Sequence, residues 1–171
     1  NPDDEKFKIA RENFIRSSAG YLVATYIMGI GDRHSGNYMV QKNGKFFHID
    51  FGHILGTSKQ NLTSKDVTIL YLERTPFVFT SEFSYMMGGE KSNAFARFEV
   101  LCANAYNALR KNAHLIINLL IMIVGQEAFL NKEIPQIENY GHLQYAIDKL
   151  NLEMSDLQAS EHIVKEIKKT L

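Results

Sequence analysis

Phe7, Ala10, Phe14, Ser17, Ser18, Tyr21, Thr25 and Met28 recur three or four residues apart along the first part of the chain. That spacing predicts a long helix over Asp4–Met28 with one buried stripe. Gly29 and Gly31 end it, because glycine supplies the backbone freedom of a helix exit. A polar loop, Asp32–Gly36, follows. Tyr38–Lys42 and Lys45–Ile49 then read as two short strands around Asn43-Gly44, a dipeptide suited to a two-residue type I′ hairpin. Phe51–Arg74 is long, polar and weakly periodic, and structureless stretches of that length are uncommon unless functional. After it comes "PFVFTSEF" from Pro76, a short apolar run leading into another helix. Phe95, Phe98, Leu101, Ala105 and Leu109 mark a helical stripe from Asn93 that continues into the apolar run Leu115–Val124, with Gly125 as its stop. Leu143–Leu150 and Ser155–Leu171 predict two more helices, the last opening on a capping box, Ser155-x-x-Gln158. The expected fold is mostly α with a small β-hairpin, in a single domain over residues 1–171.

Composition narrows the function classes. Nineteen basic side chains balance nineteen acidic ones, so no global charge argues for a nucleic-acid partner. Cys102 is the only cysteine. An intrachain disulfide is therefore impossible, and an inert core thiol is the expected role. The run Leu115–Val124 is too short to span a bilayer and suits a buried helix. The chain opens on a polar segment without an initiator Met, which reads as a piece of a longer protein.

The chemistry concentrates in "GIGDRHSGNYMVQKNGKFFHIDFGH", Gly29–His53. A two-residue turn at Asn43-Gly44 makes Met39 face His48, Tyr38 face Ile49 and Asn37 face Asp50. Directly opposed side chains have Cβ atoms about 4.5–5.5 Å apart. An amide oxygen and a carboxylate so placed suit Mg²⁺, which takes oxygen ligands and joins carboxylates to substrate phosphates. Asn and Asp also commonly cap strand ends, and both readings stand at this point. Asp32 and Asn37 add D-x-x-x-x-N, the spacing of a kinase catalytic loop, whose Asp handles the acceptor hydroxyl and whose Asn holds metal. Asp50-Phe51-Gly52 is the D-F-G that supplies the other ligand. The protein-kinase order H-R-D is inverted here to Asp32-Arg33-His34.

That inversion, with "GDRHSGNYMV", "FFHIDFGH", "RSSAGYLVATYIMGIGDRH", "ERTPFVFTSEF" and "FARFEVLCANAYNALRKNAHLIINLL", resembles the phosphoinositide 3-kinases over almost the whole chain. The PFVFT stretch and last helices look like class I or class II enzymes, while "HILG" is reminiscent of class III. The resemblance implies the C-terminal lobe of a protein-kinase-like (α+β) lipid kinase domain. It implies ATP and Mg²⁺, or Mn²⁺, as cofactors and transfer of the γ-phosphoryl to the 3-hydroxyl of a phosphoinositide.

By the same resemblance, Asp32 and His34 are catalytic. Either takes the hydroxyl proton or contacts the γ-phosphate, and histidine suits proton transfer near neutral pH. His53 steadies the transferring phosphate, and Arg33 belongs to the catalytic loop as its anchor. Asn37 and Asp50 are the metal ligands, and Met39 and Ile49 line the adenine pocket. Strict pleat alternation, however, puts Met39 and Ile49 on opposite faces of the hairpin. An activation loop at about residues 50–76 would read the lipid headgroup through Lys59, Lys65 and Arg74. These cations are sparser than the basic boxes of class I enzymes, which leaves mono- or unphosphorylated phosphatidylinositol as substrates.

Neither G-x-G-x-x-G nor a Walker motif occurs. The phosphate-binding loop and ATP-contacting lysine are expected before Asn1, and the isolated segment is expected to have little activity. Expected partners are a lipid substrate at the membrane surface, the rest of the kinase chain (N-lobe, helical and C2-type domains) and a regulatory subunit. The expected location is cytoplasmic with peripheral membrane association. Competing readings are a phosphatidylinositol 4-kinase, a related serine/threonine protein kinase, and a non-catalytic kinase-fold scaffold.

Overall fold

The computed structural model describes residues 2–31, 33–56, 77, 79–124 and 140–171. Within these residues the chain forms α1 (Pro2–Met28), a hairpin of β1 (Tyr38–Val40) and β2 (Phe46–His48), then α2 (Ser81–Met86) and α3 (Asn93–Lys111). It continues with α4 (Ala113–Val124), α5 (Leu143–Leu150) and α6 (Asp156–Lys168). Single 3₁₀ turns at Ser35–Asn37 and Tyr140–His142 precede β1 and α5. The mostly helical fold with one small antiparallel sheet agrees with the sequence reading.

One core holds most of these elements together. Phe14, Leu22, Val23 and Tyr26 of α1 meet Phe95, Phe98, Cys102 and Tyr106 of α3, which in turn pack on Ala159, Ile163 and Ile167 of α6. The buried face of α1 keeps part of the predicted stripe, with Phe14, Ser18 and Thr25 buried and Tyr21 exposed. Phe7 is 59% exposed, and Ile15, Ala19 and Ile27 are buried instead. The first turns of α1 run past the core, whereas Ala10, Asn13, Ser17 and Tyr21 meet the hairpin and Tyr26 meets Tyr106 of α3. Cys102 is fully buried, and burial holds its thiol well above the usual range, as expected for an inert core residue.

The predicted continuous helix through Val124 is instead two helices. Ser92 caps the first by accepting from the Phe95 N–H (3.0 Å). Asn112 ends it, and its side-chain amide donates to the Ala108 carbonyl (2.8 Å), one of those a helix end leaves without a partner. The run Leu115–Val124 is also less buried than its composition predicts. Leu120 and Val124 face a second cluster with Leu55, Leu143 and Ala146, while Leu115, Leu119 and Met122 stay exposed. No helix among the described residues is long and apolar enough to cross a membrane.

The α3–α5–α6 corner is held by a buried charge. Arg110, 8% exposed, donates to the carbonyls of Leu150 (3.0 Å), Asn151 (3.2 Å) and Met154, and pairs with Asp156 (3.3 Å). Ser155 and Gln158 form the predicted capping box at the start of α6. His162 of α6 bonds the Tyr26 hydroxyl of α1 (3.0 Å).

Candidate active site

The hairpin register differs by one residue from the sequence reading. Tyr38 pairs with His48, Met39 with Phe47 and Val40 with Phe46. The Gly44 N–H bonds the Gln41 carbonyl (2.8 Å) and the Gln41 N–H bonds the Lys45 carbonyl (2.8 Å). The loop therefore has three residues, Lys42-Asn43-Gly44, with Gly44 at φ 87, the geometry of a turn closed by a left-handed glycine.

Contacts with α1 account for the longer loop. Asn13 Nδ2 donates to the Asn43 carbonyl (2.9 Å), and Ser17 Oγ accepts from the Phe46 N–H (2.8 Å). The turn lies so close to the helix that a Cβ on Gly44 would sit 2.0 Å from the Ala10 carbonyl oxygen. A signal for this was present in the sequence, since Asn13 and Ser17 are polar residues four apart, bordering an otherwise apolar stripe.

A one-residue shift turns every side chain to the other face. Tyr38, Phe46 and His48 face inward and share aromatic contacts with Phe83 of α2 and Tyr21 of α1. Met39, opposite Phe47, now shares the outer face with Ile49, which removes the conflict in the predicted register. Met39 is half exposed and Ile49 partly buried. The direct opposition of Asn37 and Asp50 is corrected by the same shift. The Ile49 N–H bonds the Asn37 carbonyl (2.9 Å), so Asn37 faces Ile49 and Asp50 is the next residue along.

Asn37 is 7% exposed at the end of its 3₁₀ turn. Asp50 is exposed and left-handed (φ 58), and its Oδ1 accepts from the Gly52 N–H (3.2 Å). Arg33 ties the two segments together. Its guanidinium, 3% exposed, donates from Nε to the Gly31 carbonyl (2.7 Å), from Nη1 to the Ile49 carbonyl (3.0 Å) and from Nη2 to the Asp50 carbonyl. Nη1 also lies 3.3 Å from His48 Nδ1. His48 is pushed down from 6.5 to about 4, first by burial and then by the Arg33 charge. The ring is therefore neutral at physiological pH and can accept from Arg33.

His34 is exposed, and its Nδ1 accepts from the Gly36 N–H (3.0 Å). In the neutral ring this puts the proton on Nε2, which makes that nitrogen a donor. His53 is 9% exposed, with its carbonyl accepting from the Gly31 N–H (2.9 Å) and its buried Nδ1 without a partner among the described residues. The Leu55 N–H to Met28 carbonyl (2.7 Å) and Gly56 N–H to Gly29 carbonyl (3.0 Å) bonds extend this attachment to the exit of α1. Asp32, Lys59, Lys65 and Arg74 lie outside the described residues. Among the described residues no three His, Cys, Asp or Glu side chains gather as a metal cage. Among the described residues Asn37 and Asp50 are two oxygen donors of the kind that would suit Mg²⁺ completed by water and phosphate.

Comparison with known proteins places the chain in a family. The family model described as phosphatidylinositol 3- and 4-kinase matches residues 1–133. Phosphatidylinositol 3-kinase 1 of Dictyostelium discoideum is 44% identical over 171 residues, which cover 100% of this chain and 10% of that protein. Phosphatidylinositol 3-kinase 2 of the same organism is 42% identical over 167 residues, 98% of this chain and 8% of the relative. The human phosphatidylinositol 4-phosphate 3-kinase C2 domain-containing subunit beta is 39% identical over 173 residues, covering 100% of this chain and 10% of that protein. The chain thus spans about a tenth of the length of the curated relatives it matches.

Proposed function

Because this chain belongs to the phosphatidylinositol 3- and 4-kinase family, we propose that it is the magnesium- and phosphate-handling lobe of a phosphoinositide 3-kinase. The reaction is transfer of the γ-phosphoryl of ATP to the 3-hydroxyl of a phosphoinositide. The observation that carries this reading is the joining of the catalytic-loop and D-F-G segments. The Ile49–Asn37 backbone bond and the three carbonyls held by Arg33 place two oxygen-bearing side chains on adjoining strand ends.

Asn37 and Asp50 would hold Mg²⁺ or Mn²⁺. When bound there, the ion would supply positive charge against the phosphates, and charge neutralisation with positioning is most of what phosphoryl transfer requires. Asp32 takes the proton of the attacking hydroxyl. His34, with its proton on Nε2, donates to a γ-phosphate oxygen and leaves the base role to Asp32. His53 has a buried Nδ1 that a phosphate oxygen would satisfy. Met39 and Ile49, together on the outer face, bound the adenine side. Lys59, Lys65 and Arg74 read the headgroup. Their small number, and the substrate printed in the name of the human relative, favour a lipid with few phosphates. The enzyme works at the cytoplasmic membrane surface, with its N-lobe and further domains supplied by the rest of a longer chain.

The test is Asp50→Asn in the full-length kinase, assayed with Mg–ATP and phosphatidylinositol or its 4-phosphate, with positional analysis of the labelled product. Loss of turnover by about 10²-fold or more is expected, the scale of removing a preorganised charge-stabilising group, together with a 3-phosphorylated wild-type product. Unchanged turnover, or phosphate at another ring position or on protein, would overturn the reading.

A further inference from the structure

The fold buries an imidazole that the chemistry above does not use. His48 is 4% exposed, walled by Phe46 (ring centroids 5.0 Å), Tyr21 (5.9 Å) and Tyr38 (6.4 Å). A residue needed only to fill this space would be apolar, since burying a polar ring is favourable only when it is bonded. The His48 Nε2 is buried without a side-chain or backbone partner among the described residues, the Asn37 backbone bonds the ring, and Nδ1 lies 3.3 Å from Nη1 of Arg33, the side chain that spans both halves of the site. We propose that His48 is a positioning residue for the metal site. Its Nδ1 accepts from Arg33 and fixes the guanidinium across the carbonyls of Gly31, Ile49 and Asp50.

This rests on the reading that Asn37 and Asp50 hold the metal. Asp50 is a non-glycine residue at φ 58, a conformation that persists only where surrounding contacts impose it. Two contacts do so here: Arg33 on its carbonyl and the Gly52 N–H on its carboxylate. A guanidinium with five donors and one rigid plane bonds three carbonyls only in one orientation. His48 selects that orientation from the side away from solvent. Without the acceptor, Nη1 shifts, the Asp50 carbonyl loses its donor, and the backbone that carries the carboxylate is no longer held.

The test uses the full-length kinase and a readout independent of turnover: Mn²⁺ affinity by electron paramagnetic resonance with a non-hydrolysable ATP analogue present. His48→Phe keeps an aromatic ring and removes the acceptor. His48→Asn puts an oxygen where Nδ1 stood, and His48→Gln puts one where Nε2 stood. Removing the support of a metal ligand typically weakens metal binding about 10–100-fold. His48→Phe should therefore weaken Mn²⁺ binding by about tenfold or more and leave analogue binding in EDTA unchanged. His48→Asn should come within about threefold of wild type, and His48→Gln should stay weak. Wild-type Mn²⁺ affinity in His48→Phe, or equal affinities in His48→Asn and His48→Gln, would refute the positioning role. The Asn and Gln comparison decides alone if the Phe variant does not fold. Asp50→Asn in parallel separates the two ideas. If it binds Mn²⁺ as wild type, the metal-site reading itself falls. If it is weakened while His48→Phe is not, only the role of His48 falls.

Discussion

Replacing Ser17 with alanine removes the side chain that seats β2 on α1. Ser17 Oγ accepts from the Phe46 N–H at 2.8 Å and donates to the Asn13 carbonyl at 2.6 Å. Phe46 is 1% exposed, so its N–H loses its protein partner in a poorly hydrated position once the hydroxyl is gone. Leaving a buried donor unpaired costs about 1–3 kcal/mol. Alanine is the better helix former by about 0.5 kcal/mol, which offsets part of the loss. Ser18→Ala is the matched control. Ser18 is buried on the same helix, but its hydroxyl bonds only the Phe14 and Ile15 carbonyls of α1 itself. The propensity gain then cancels between the two variants, and their difference isolates the helix–hairpin bond at about 1–2 kcal/mol. In urea unfolding this is a midpoint lower by about 0.5–1 M in Ser17→Ala than in Ser18→Ala. Hydrogen exchange gives a second reading: the Phe46 amide should lose protection in Ser17→Ala alone. Equal midpoints with Phe46 still protected would mean that Ser17 does not hold the hairpin.

Two further outcomes follow from buried polar groups. Arg110→Ala leaves the Leu150, Asn151 and Met154 carbonyls without their donor, and should lower unfolding stability by about 2–4 kcal/mol in a denaturant titration. Arg110→Lys should recover little, because an ammonium cannot fork across three carbonyls. His48 titrates near 4 when folded and near 6.5 when unfolded, so the unfolded chain binds more protons between those values. Stability from this residue is therefore fully present above about pH 6.5 and is lost as pH falls toward 4, by up to about 3 kcal/mol. Burial pushes His162 in the same direction and steepens the slope. Urea midpoints at pH 7 and 4.5 should differ more in wild type than in His48→Asn, and equal differences would count against the neutral buried ring.

Much of the site was legible because its chemistry is local in the chain. Asp32, Asn37 and Asp50 announce a kinase by spacing, and the glycines after Met28 place the helix exit, where Gly29 indeed takes φ 56. The register was not legible. Asn43-Gly44 satisfies both a two-residue turn and a three-residue turn ending in a left-handed glycine, and both are good local solutions. The choice is made by Ala10, Asn13 and Ser17, about thirty residues earlier, which accept only the longer loop. Likewise nothing in "FFHID" says that His48 meets Arg33, because that contact depends on which face of β2 turns inward.

The sequence alone supplied the candidate groups for the chemistry, since donor type and acid–base character belong to each side chain and its motif spacing. It also determined the helices at Leu143–Leu150 and after the Ser155 cap, whose signals lie within a few residues. The tertiary structure decided how those groups are presented. Packing of the hairpin on α1 chose the register that unites Met39 and Ile49 and steps Asp50 past Asn37. The reason is that strand pairing is degenerate by one residue at the level of backbone hydrogen bonds. The degeneracy is lifted only when one face has a partner to bury against.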